Sequence, residues 1–134
     1  MIDYQHKFRL DNKTAFVVGG LGLIGSEITK ALTSAGGRVI ALDINCEKGN
    51  FFERELQDAG YDMILHQFDC SDVEGFDKNF SALLNEYGSP DIFINCSYPR
   101  TADWGNSSFK DIALESFRKN VDIHMNSYAW LGRL

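Results

Sequence analysis

Apolar positions along this chain switch repeatedly between a strand-like and a helix-like period. Residues 14–19 (TAFVVG) form a short apolar run, rich in β-branched and aromatic side chains and ending in glycine, as a strand buried on both faces does. Ile24, Ile28, Ala31, Leu32 and Ala35 then recur at offsets of 0, 4, 7, 8 and 11, one face of a helix, and Gly36 and Gly37 stop it. Residues 38–43 (RVIALD) return to the buried-strand pattern. Asn45 is placed to cap a second helix through Gln57, with Gly60 marking its end, and residues 63–68 (MILHQF) read as a third strand.

Ser71, Asp72, Val73 and Glu74 have the S-x-x-E form of a capping box. Val73, Phe76, Phe80, Leu83, Leu84 and Tyr87 follow at helical spacing, and Gly88, Ser89 and Pro90 break the helix. Residues 91–95 (DIFIN) are a fourth strand, residues 96–108 a polar loop, and Phe117, Val121, Met125, Tyr128 and Leu131 the apolar stripe of a last helix. Strands alternating with helices imply right-handed crossovers and an α/β fold whose parallel sheet is covered on both faces.

Composition narrows the function. The 134 residues, 44% apolar with 12 Gly and 2 Pro, suffice for one domain. A chain of that size buries about two thirds of its unfolded surface. A net charge of -6 argues against a nucleic-acid partner, whose phosphates are bound by clustered Lys and Arg. No apolar run approaches the roughly 18 residues of a membrane span. Residues 1–10 mix Asp3, His6, Lys7 and Arg9 with isolated apolar residues and hold no apolar core of a secretory leader. Cys46, Cys70 and Cys96 are odd in number, lack CxxC spacing and have no His pair nearby, which argues against a metal site or a disulfide framework. The expectation is a cytoplasmic protein with reduced thiols.

The stretch with the most chemistry is Val18-Gly19-Gly20-Leu21-Gly22-Leu23-Ile24-Gly25, between the first strand and the first helix. Glycines there permit a tight turn and bring the backbone N–H groups of Gly22, Leu23, Ile24 and Gly25 toward a pyrophosphate at the positive end of the helix. Asp43, 18 residues after Gly25 at the end of the second strand, is placed to accept hydrogen bonds from a ribose 2'-OH. The same carboxylate repels a 2'-phosphate, so NAD is expected in preference to NADP.

With strand, turn, helix and acid in register, the sequence resembles the short-chain dehydrogenase/reductase family nearly end to end. Gly19, Gly22 and Gly25 are similar to the family's TGxxGxxG variant, with Val18 in place of the usual Thr. The resemblance implies a Rossmann-type, doubly wound domain spanning residues 1–134, with strand order 3-2-1-4 and the sheet cut off after about four strands. It implies that Asp69 and Cys70 hold the adenine, although Asp69 is also placed to cap the following turn. Asn95, Cys96 and Ser97 match the family's NNA position in part, and Asn120 takes the place of the Asn that joins the family's proton relay. Asn120 reads equally as an ordinary polar helix position.

The loop Ser97-Tyr98-Pro99-Arg100-Thr101-Ala102-Asp103-Trp104 follows a strand beside the point where strand order reverses, where such folds bind ligands. Arg100 is therefore a candidate for a substrate carboxylate or phosphate, against the alternative of a solvated loop Arg. The loop is similar to a subgroup linked to surface polysaccharide and flagellin glycan biosynthesis, including nonulosonic sugars.

Hydride transfer in the family uses a Ser after strand five and a Tyr-x-x-x-Lys. Neither is here: no Tyr is followed four residues later by Lys, and Tyr128 has Gly132 at that place. The expectation is the cofactor-binding front part of an oxidoreductase acting on a sugar-like hydroxyl or carbonyl, inactive alone. Two alternatives stand beside it, a piece of an extended-type sugar-nucleotide epimerase or dehydratase and a non-catalytic nucleotide-binding or assembly module. Ile92, Phe93 and Ile94 would leave strand four an uncharged edge, so a homo-oligomer covering that strand and the last helix is a further expectation.

Overall fold

The β-branched and aromatic run near the start of the chain forms strand β1 (Thr14–Val18), buried almost throughout. It leads into helix α1 (Leu23–Ser34), strand β2 (Arg38–Asp43), helix α2 (Cys46–Asp58) and strand β3 (Met63–Gln67). A 3-10 turn at Val73–Gly75 then opens helix α3 (Phe76–Tyr87), followed by strand β4 (Ile92–Asn95) and helix α4 (Leu114–Arg133). This is a computed structural model, and it describes residues 6–134; the first five residues of the segment read as leaderless lie outside the described residues.

The sheet is parallel with strand order β3-β2-β1-β4, as expected. Phe16 pairs with Ile40 on one side and Phe93 on the other, which sets the register of the central strands. Side-chain alternation sorts the core into two layers. Phe16, Val18, Ile40 and Leu42 pack with Phe76, Phe80 and Leu83 of α3 and Leu131 of α4. From the opposite face Ala15, Val17 and Val39 meet Ile28 and Leu32 of α1, while Ala41 and Met63 meet Leu56 of α2.

Four local expectations are corrected. Helix α1 buries Gly25, Thr29 and Thr33, with Ile28 and Leu32 partly covered, and leaves Ile24 70% exposed. Contact between Gly25 and the preceding turn sets the roll of the helix. Asn45 makes no side-chain cap to α2; its own N–H donates to Asp43 instead. The Ser71–Glu74 capping box does not form, because Asp69 holds Ser71 while Asp72 accepts from the Gly75 N–H at 3.2 Å. Helix α4 buries Asn120, Ser127 and Leu131 and leaves Val121, Met125 and Tyr128 of the expected stripe exposed.

Candidate nucleotide-binding site

All four strands run the same way, so the segments leaving their carboxyl ends gather on one edge of the sheet. There they enclose a cleft of about 290 Å³. Val18 and Gly19 form its floor with Leu42; Asp43 and Ile44 follow β2; Phe68, Asp69, Cys70 and Ser71 follow β3; residues 97–100 follow β4.

Gly19 has φ +73°, a left-handed conformation that disfavours side chains, and a Cβ there would sit 2.8 Å from the Ser97 nitrogen. Only glycine lets the turn lie against the end of β4. At Gly25 a Cβ would come within 2.0 Å of the Gly19 carbonyl oxygen, so α1 begins in direct contact with the turn. The first helical bond runs from the Ser26 N–H to the Gly22 carbonyl, 2.9 Å. The amides of Leu23, Ile24 and Gly25 belong to the unsatisfied first turn, where the helix dipole is positive. The Leu23 side chain, 95% exposed, stands clear of them.

Asp43 fastens this turn to β2: one carboxylate oxygen accepts the Leu21 N–H and the other the Asn45 N–H, each at 3.1 Å. Each oxygen retains acceptor capacity for a hydroxyl. Asp69 lines the cleft and also caps the next turn, its Oδ1 accepting the Ser71 N–H at 2.8 Å and the Ser71 hydroxyl at 2.7 Å. Burial pushes the Cys70 thiol up, opposed by a hydrogen bond with Ser97, and burial likewise pushes up Cys96. Both are neutral packing groups at pH 7 rather than nucleophiles.

Asn95 Oδ1 accepts the Ser97 N–H at 3.0 Å and its hydroxyl at 2.6 Å, while Asn95 Nδ2 is buried without a partner. Tyr128, its pKa raised by burial, donates its hydroxyl to the Ser97 carbonyl. Asn95, Cys96 and Ser97 thus shape the wall that Gly19 approaches.

Asn120, 1% exposed, lies outside the cleft lining. Its Oδ1 accepts the Thr101 N–H at 3.0 Å, and its Nδ2 donates to the Thr101 hydroxyl at 2.6 Å and the Ser116 carbonyl at 2.7 Å. Asp103 accepts the Ser116 hydroxyl at 2.7 Å, and the Thr101 and Ser116 hydroxyls hold its carboxyl below the usual range. This network fastens the 96–108 loop to α4. Sequence reasoning placed the loop from Ser97 to Arg100 at the crevice but did not single out Ile44, Phe68 and Ser71 as cleft residues; the readable signal was Ile44, an apolar residue placed between a strand-end acid and a helix start.

The arrangement fits a dinucleotide. The two glycines hold a cradle that a Cβ would fill, the free amides of the first turn of α1 begin beside it, and carboxylates line the adjoining cleft. The profile of the family described as short chain dehydrogenase matches residues 13–134. The chain belongs to this family. Over 120 residues it is 27% identical to a post-translational flagellin modification protein A from Campylobacter coli, covering 89% of this chain and 47% of that protein. Over 126 residues it is 30% identical to a 7alpha-hydroxysteroid dehydrogenase from Bacteroides fragilis, covering 94% and 48%. The short-chain dehydrogenase fold also matches a crystal structure of a gluconate 5-dehydrogenase from Burkholderia cenocepacia in complex with NADP and tartrate, at TM-score 0.80 and 18% identity, covering 98% of this chain and 50% of that one. The chain therefore spans about half the length of the relatives it matches. Among the described residues no helix is long and apolar enough to cross a membrane, and no cluster of potential metal ligands occurs.

Proposed function

We propose that this chain is the cofactor-binding part of an NAD-dependent short-chain oxidoreductase acting on a hydroxyl or carbonyl of a sugar-like small molecule. One observation carries the reading: the glycine turn, tied by Leu21 to Asp43, opens onto the cleft that Asp43 and Asp69 line. The amides of Leu23, Ile24 and Gly25 hold the pyrophosphate, while the Gly22 N–H is spent on the Gly19 carbonyl at 3.0 Å; Asp43 accepts from the adenosine ribose, and Asp69 accepts from the adenine amino group. Ser97, held by Asn95 Oδ1, lines the cleft beside them, while Asn95 and Cys96 act from behind it. When bound, the nicotinamide supplies hydride chemistry. This chain contributes binding and orientation, and because it lacks the Ser and the Tyr-x-x-x-Lys it turns nothing over alone. Asn120 acts as a positioning residue through its hold on Thr101.

The sugar-like substrate class rests on the loop at residues 97–104 and on the flagellin-modifying relative. A cytoplasmic location fits the same reading. The half-buried β4 and the exposed Val121 and Met125 favour a second copy covering strand four and the last helix. Sedimentation showing only monomer at high concentration would remove that copy. Calorimetry with NAD and NADP tests the cofactor assignment on wild type, Asp43→Ala and Asp43→Asn. The expected result is a preference for NAD that both substitutions abolish; equal affinity for both cofactors, unchanged by either, overturns it.

A further inference from the structure

Arg100 entered as a candidate for a substrate anion, yet its place in the fold is the cleft lined by Asp43 and Asp69. It is the sole cation among the lining residues, and among the described residues it has no ion-pair or hydrogen-bond partner. An arginine set on the rim of a cleft with two carboxylates, and paired with neither, is available to a ligand. A phosphate held between Arg100 and those carboxylates would meet their repulsion. A neutral purine would not. The same cleft has apolar and ring-bearing lining from Leu42, Ile44, Phe68, Tyr98 and Pro99. The guanidinium is planar and weakly hydrated, so it can lie parallel to a ring plane, whereas a compact, strongly hydrated ammonium meets a ring face only as a point charge.

We propose that Arg100 stacks its guanidinium on the adenine ring of the bound dinucleotide, which makes it a cofactor-binding residue and leaves the substrate to be held elsewhere. This rests on the dinucleotide reading above and adds a specific contact to it.

Calorimetry on wild type, Arg100→Ala, Arg100→Lys and Arg100→Gln with adenosine, AMP and NAD tests the contact. Arg100 is exposed, so all four proteins are expected to fold, and circular dichroism checks this. Arg100→Ala should weaken all three ligands by the same factor, about 2- to 5-fold. Arg100→Lys, which keeps the charge without the plane, should recover only part of the loss, and planar Arg100→Gln should also lose less than Arg100→Ala. Unchanged adenosine affinity in Arg100→Ala overturns the proposal, as does full rescue by Arg100→Lys or a loss confined to the phosphate-bearing ligands. Failure of wild type to bind any of the three removes the dinucleotide reading and this contact together, whereas wild-type binding that Arg100→Ala leaves unchanged removes the contact alone.

Discussion

The β1–α1–β2 unit and the β4–loop–α4 unit are both strand–helix connections of one sheet, but they are held by opposite means. In the first, apolar strands are buried almost to the last residue and the helix is seated through Gly25, with backbone against backbone. In the second, the strand is half-buried throughout, and the helix is seated through Asn120, Ser127 and Leu131 while Val121, Met125 and Tyr128 of its expected stripe are exposed. The sheet's two edges differ in the same way. At β3 the edge is met by α2 side chains, Glu53 accepting the Leu65 N–H and Gln57 donating to the Met63 carbonyl, both at 2.9 Å. Such partners satisfy an edge strand from within the chain. The glycine-turn side is built by close packing, and the α4 side by hydrogen bonds to a loop.

The contrast breaks first at Gly25. Gly25→Ala forces a Cβ into the Gly19 carbonyl and should cost about 3 kcal/mol, read as a lowered urea midpoint together with lost NAD affinity. Stability unchanged from wild type would show that the turn has room to relax. On the α4 side the largest effect belongs to Asn120→Ala, which removes the bonds to the half-buried Thr101 N–H and hydroxyl and to the Ser116 carbonyl and should cost about 2 kcal/mol by the same assay. If α4 were seated by its apolar stripe instead, this variant would unfold like wild type.

A smaller effect is expected where the two units meet. Asp91, just before β4, accepts the Lys13 ammonium at 2.7 Å and the Thr14 N–H at 2.9 Å, and these bonds lower its pKa. A depressed carboxylate stabilises the fold above its unfolded pKa. That contribution should fade as pH falls below about 4 and through the folded value. Asp91→Asn should therefore be less stable than wild type at pH 7 and converge with it near pH 2; a constant gap would assign the effect to packing. The smallest effect is at Met125, 66% exposed, where Met125→Ser should shift stability by less than about 0.5 kcal/mol. A large loss at dilute concentration would place that side chain in a buried contact.

The sequence made the two units unequally legible. Strand order, crossovers and glycine turn could be read because runs such as FVV and VIAL leave no other buried arrangement and because the glycines stand between strand and helix. The seating of α1 and α4 could not. Periodicity reports which residues share a helix face, and in both helices a backbone or polar contact decides which face turns inward: Gly25 in α1, Asn120 in α4. The site divides likewise. Asp43, the glycines, the turn cap at Asp69 and the crevice position of the Arg100 loop could be read from spacing and element order, whereas the network by which Asn120 holds Thr101 depends on where β4 delivers its loop.

The central claim is that the nucleotide occupies the strand-end cleft and the α1 amides, on the close-packed side of the molecule. Titrating labelled protein with NAD while following its backbone amides by NMR tests this most directly. The account predicts saturable shifts at residues 19–25, at Asp43 and Ile44, at residues 69–71 and at residues 97–100, with Val121 and Met125 unmoved. Shifts centred on the outer face of α4, or none at saturating NAD, would contradict it.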